Sequence, residues 1–154
     1  MIDFGKLSAK INTGTTINPS EIFMTLPTKD AKYAYLRNVQ SEVLDQWFEI
    51  RSNKDTIIKM NTGSGKTTGA LLILKSCLSE KRGQAAYVVP DNYLVAQVQA
   101  EAKALGIPVT TSEQDISFIQ GEAILVINIQ KLFNGKSVFG MRSSGNVNLD
   151  YVLI

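Results

Sequence analysis

The sequence predicts an α/β domain in which a mostly parallel sheet carries helices on both faces. Three observations predict it. Apolar runs of strand length alternate with stretches of helical periodicity. Each switch is marked by turn or cap chemistry, as at Asn18-Pro19, Pro90-Asp91 and Gly106. Strands joined through helices pair in parallel through crossover connections, which bury both faces of the sheet.

The elements follow in order. Residues 1 to about 17 are polar and mixed, and read as an extended arm. Asn18 can cap a short helix with Pro19 at its first position, and Leu26-Pro27 ends it. A longer helix is predicted from about Asp30 to Ile50, with Leu36, Val39, Val43, Trp47 and Ile50 as its apolar stripe. Asp55 to Met60 holds Ile57-Ile58 between polar ends and reads as a buried strand. A loop, Asn61 to Gly65, leads into a helix from Lys66 to about Ser79 that buries Ala70, Leu71, Leu74 and Leu78. Ala85 to Val89 is a continuous apolar strand stopped by Pro90. Asp91 caps a helix to about Leu105, with Leu94, Val95, Val98 and Ala102 inward, and Gly106 ends it. Ile107 to Thr110 and Ala123 to Ile127 are further strands, and Tyr151 to Ile154 begins another. The glycine- and serine-rich stretch Gly135 to Gly145 reads as a mobile loop.

Composition bounds the function. The 154 residues suit one domain, and 44% apolar content is ordinary for a globular protein. Sixteen basic and 14 acidic residues leave a net charge of +2, so any polyanion-binding surface must be local. The chain has no histidine, which excludes histidine metal sites and histidine-dependent triads within it. Its single cysteine, Cys77, allows no internal disulfide. No apolar run approaches the ~20 residues of a membrane span, and the N-terminus lacks a signal-peptide core. The expected address is cytoplasmic, with no membrane partner.

One segment carries chemistry. Met60-Asn61-Thr62-Gly63-Ser64-Gly65-Lys66-Thr67-Thr68 lies between a predicted strand and a predicted helix, the context of a P-loop (Walker A). Gly63 and Gly65 allow a tight turn that aims several backbone N–H groups at one anion. The helix start adds its positive dipole end. Lys66 supplies a charge for the β- and γ-phosphates, and the Thr67 hydroxyl is placed to ligate Mg²⁺. The nucleotide-contacting set is therefore Thr62, Gly63, Ser64, Gly65, Lys66, Thr67 and Thr68, with Lys66 and Thr67 as its catalytic members. Met60 stands where the strict pattern has its first glycine.

Asn61 to Thr67 resembles motif I of superfamily-two helicases, the DEAD/DEAH-box enzymes and their relatives, a group that often has alanine at the Met60 position. The resemblance covers roughly Leu36 to Ile154, and it implies a RecA-like P-loop NTPase fold. Upstream, Leu36-Arg37-Asn38-Val39-Gln40 resembles the segment whose glutamine reads adenine, which makes Gln40 a base-reading candidate; its amide can both donate and accept. Phe23 is a core residue or, as an aromatic preceding that glutamine, a base-stacking one; burial is the commoner fate of phenylalanine. Downstream, Val89 to Gln97 is similar to motif Ia, implying nucleic-acid contacts from Pro90 and Asn92. Asn128-Ile129-Gln130-Lys131-Leu132 is similar to the segment that makes a second backbone contact, here from Asn128 and Gln130.

The resemblance implies an ATP- and Mg²⁺-dependent enzyme acting on DNA or RNA. In that family Leu149 to Ile154 would lead directly into motif II, with a second RecA-like domain after it. The expectation is an arm and short helix over 1–29, then a partial ATP-binding domain over 30–154 that binds nucleotide without turning it over. The alternative is a non-hydrolysing nucleotide- or nucleic-acid-binding module. A kinase is disfavoured by the motif Ia segment and the upstream glutamine.

Overall fold

A computed structural model describes residues 15–81, 83–134 and 149–153. Among these residues four strands form one parallel sheet: β1 (Gln84–Val89), β2 (Val109–Thr110), β3 (Ile124–Asn128) and β4 (Leu149–Leu153), in the order β2-β3-β1-β4. The helices are α1 (Pro19–Thr25), α2 (Asn38–Ile50), α3 (Lys66–Ser79), α4 (Asn92–Leu105), α5 (Ile116–Ile119) and α6 (Ile129–Phe133), with a 3₁₀ turn at Ala31–Tyr33. The arm's first 14 residues and the stretch Gly135 to Gly145 lie outside the described residues.

Strand alternation divides the core into two layers. Ala85 and Val89 of β1 and Ile124 and Val126 of β3 face α3 and α4, while Ala86, Val88, Leu125 and Ile127 face Phe118 of α5 with Ile129 and Leu132 beside it. The sheet is thus covered on both faces, as the continuous apolar runs require. On the thicker side α3 lies between the sheet and the outer helices α1 and α2. Ten of its 14 residues are buried, including Leu71, Leu72, Ile73, Leu74 and Leu78. A helix enclosed on all sides is apolar all round rather than striped, so the predicted stripe is correct but incomplete.

Two expectations are corrected. Residues 55–60 form no strand and pair with none among the described residues, and Ile57 is 88% exposed. Two β-branched residues supply strand propensity, but a strand also needs a partner edge, which propensity does not specify. The long helix begins only at Asn38, because the 3₁₀ turn and an extended Arg37 precede it. Its predicted buried face is correct only in part: Leu36 and Trp47 of the predicted stripe pack against the core, but the fully buried positions are Gln40 and Leu44, and Val39 and Ile50 are exposed. Burying a polar Gln40 in place of Val39 departs from the apolar pattern, and the glycine loop supplies the reason.

Candidate nucleotide site and nucleic-acid cleft

The loop from Asn61 to Gly65 reverses direction through two glycines in the left-handed region, Gly63 at φ 78° and Gly65 at φ 83°. L-residues with a Cβ are disfavoured there. The Ser64 N–H (3.2 Å) and hydroxyl (2.6 Å) both donate to the Asn61 carbonyl, closing the turn on itself. The N-terminus of α2 grips this loop from behind. Arg37 Nη1 donates to the Gly63 carbonyl at 2.7 Å, and Gln40 Nε2 donates to the Gly65 carbonyl at 3.2 Å. Gln40 Oε1 in turn accepts from the Arg37 backbone N–H at 3.0 Å. Both glycine carbonyls are thereby held by α2. A Cβ on Gly65 would stand 2.1 Å from Gln40 Nε2, so any side chain there would displace the Gln40 amide from the loop.

Gly65 is the N-cap of α3 and offers no side-chain cap. The first-turn N–H groups of any helix lack intrahelical partners, and here no side chain satisfies them at the cap. Lys66 is exposed and Thr67 half-buried. Thr68 is buried, and its hydroxyl donates to Glu101 of α4, so its side chain fastens α3 to α4. Beneath Thr67 sits Tyr87 of β1. Burial raises the Tyr87 phenol pKa above its ordinary value; a hydrogen bond with Thr67 opposes that rise and the Glu101 charge adds to it. Phe23 is 1% exposed in the core, with the Lys29 ammonium 4.3 Å from its ring, so it is a packing residue.

The second cluster lies at the carboxyl ends of β1 and β3. Asp91 accepts from Leu94 N–H at 2.9 Å and caps α4. Asn128 caps α6 by accepting from Lys131 N–H at 3.0 Å, while its Nδ2 donates to Asn92 Oδ1 at 2.6 Å. Asn92, Val95, Thr111, Asn128, Gln130 and Lys131 border an open cleft of about 350 Å³. Of the sequence-derived contacts, Asn92, Asn128 and Gln130 are brought together, whereas exposed Pro90 does not line the cleft. Sequence reasoning assigned no role to Arg37, Tyr87, Lys131 or Glu113. Arg37 was within reach, since it stands three residues before Gln40 on the same side of a helix start. The other three depend on tertiary contacts.

A parallel sheet sandwiched by helices, with a left-handed glycine turn opening a buried helix, is a RecA-like α/β fold. The DEAD/DEAH box helicase family matches residues 37–144, more than half of the chain. The chain belongs to that family, whose members are nucleic-acid-dependent ATPases and helicases. Comparison with curated proteins gave no match, and comparison with solved structures gave none. Among the described residues, no helix is long and apolar enough to cross a membrane.

Proposed function

We propose that this chain is the nucleotide-holding part of an ATP-driven motor that remodels DNA or RNA, with ATP and Mg²⁺ at Thr62–Thr68 and the polynucleotide at the Asn92–Asn128 cleft. The observation that carries it is the start of α3. A 14-residue helix opens without a side-chain cap, behind two left-handed glycines and beside an exposed Lys66. Nothing stands within 4 Å of a Cβ position on Gly63, so the outer side of the turn is open to a ligand. Backbone donors, dipole and cation together suit a polyphosphate.

The chain's own residues would share the work. Lys66 supplies a point charge, and the backbone N–H groups of the turn supply donors without a reorganisation cost. Thr67 offers its hydroxyl to the metal. Bound MgATP would supply the phosphoryl bond whose hydrolysis drives remodelling. Arg37 and Gln40 keep the Gly63 and Gly65 carbonyls turned toward α2, so that these partly negative oxygens do not face the anion. An amide has two donors and two acceptor lone pairs; Gln40 spends one of each on Gly65 and Arg37. One of each remains for the adenine edge, and this supports the base-reading role. Turnover needs an acidic metal ligand and a group that orients water, and neither is among the residues assigned here. We assign it to the whole motor with its second RecA-like domain.

Competition binding of ATP, GTP and CTP against a fluorescent ATP analogue tests the proposal. ATP should compete best, and Gln40→Ala should erase that preference while leaving part of the phosphate affinity. A base preference untouched by Gln40→Ala would return Gln40 to a purely structural role.

A further inference from the structure

At the rim of the cleft Lys131 is already engaged. Its ammonium donates to Glu113 Oε2 at 2.8 Å and to the Thr111 carbonyl at 3.0 Å. Partial burial, the largest single influence, pushes the Glu113 carboxyl pKa up, but the hydrogen bond from Lys131, a backbone hydrogen bond and the Lys131 charge together outweigh it and the net shift is downward. Glu113 is therefore ionised at neutral pH and cancels the charge of a cation that borders the cleft. The two side chains are 17% and 39% exposed. Ion pairs open to solvent on one side contribute little to stability, so the fold has little need of this one. Lysine has a flexible stem and three donors, and can exchange one acceptor for another at small cost. Asn128, the residue linking the two strand ends, has its side-chain carbonyl on the Lys131 N–H, which fixes the lysine backbone at the cleft.

We propose that Lys131 is a phosphate contact of the polynucleotide cleft and that Glu113 competes with the phosphate for it, so that the acid sets the affinity of the site. The proposal rests on the nucleic-acid reading given above. In the free chain the ammonium is held by Glu113 and Thr111. A phosphate arriving beside Asn128 and Gln130 takes over the ammonium and leaves the Glu113 carboxylate to water. Glu113 thus lowers affinity for any polyanion, and favours ligands that also engage the asparagines.

The test is fluorescence-polarisation titration of labelled oligo-dT and oligo-rU across a salt series, with circular dichroism to confirm that each variant is folded. Glu113→Gln should tighten binding roughly two- to fivefold, the size of an exposed ion pair. It should also steepen the dependence of log K on log salt by up to about 0.7, one further phosphate neutralised on a single strand. Adding Lys131→Gln to that variant should cancel the gain, and Lys131→Arg should keep it. Asn128→Ala and Asn92→Ala should weaken binding in either background. If these two asparagine variants bind as tightly as the parent, or the parent binds neither oligonucleotide, the cleft reading fails and this proposal with it. If the asparagines matter but Glu113→Gln binds no tighter, or its gain survives Lys131→Gln, the competition between Glu113 and phosphate is overturned while the cleft reading stands.

Discussion

The starts of α3 and α4 differ in how they treat their free N–H groups. At α4, Asp91 places a carboxylate on Leu94 N–H, the arrangement that stabilises a helix start by about 1 kcal/mol. Asn18, Asp115 and Asn128 cap α1, α5 and α6 in the same way. At α3 the cap is a left-handed glycine with no side chain to offer, and a lysine follows it. A cation at a helix N-terminus is unfavourable to the helix dipole. The chain therefore forgoes local stability at α3, and can do so because ten of that helix's residues are buried. Four of the described α-helices carry such a cap, whereas α2 and α3 do not. The start of α2 turns onto the glycine loop, and on the function proposed above an external anion would supply at α3 what Asp91 supplies at α4.

That contrast can be broken most severely at Gly65. Gly65→Ala combines left-handed strain of about 1–2 kcal/mol with displacement of the Gln40 amide, whose hydrogen bond is worth about 1 kcal/mol. A loss of roughly 2–3 kcal/mol in urea unfolding is expected, together with loss of nucleotide binding. Gly63→Ala meets open space and should cost only the strain term, so equal losses at the two glycines would show that α2 does not hold the loop. A smaller effect is expected at the other helix. Asp91→Ala should lower stability by about 1 kcal/mol and leave nucleotide affinity unchanged. If nucleotide binding falls with it, the two helix starts are not separable in the way described.

Much of the frame is legible in the sequence. β1 and β3 are continuous apolar runs, α4 has an acidic cap before it and Gly106 after it, and α3 carries more leucine and isoleucine than a surface helix would. These are local signals. The strand over 55–60 is misread because Ile57 and Ile58 meet the propensity of a strand without specifying the edge it would join. The face of α2 is legible at Leu36 and Trp47 but not at Gln40, a polar residue buried with its amide on Gly65, 25 residues away in sequence. In the candidate site, the glycine loop and three residues of the cleft, Asn92, Asn128 and Gln130, are visible in motifs, whereas Val95, Thr111 and Lys131 join them only through the fold. The grip of Arg37 on Gly63 and of Glu113 on Lys131 is not visible, since each joins segments brought together only by packing.

The central claim, that the open start of α3 holds a nucleotide's phosphates, is tested most directly by titrating a fluorescent ATP analogue with Mg²⁺ into the parent chain and Lys66→Ala, alongside unfolding of both. Lys66 is exposed, so its removal should leave stability within about 0.5 kcal/mol of the parent. The charge-assisted contact it makes with phosphate is worth roughly 1.5–3 kcal/mol, so affinity should fall about 10- to 150-fold. Equal affinity in the two proteins, with both folded, would contradict the assignment of the loop as a phosphate site.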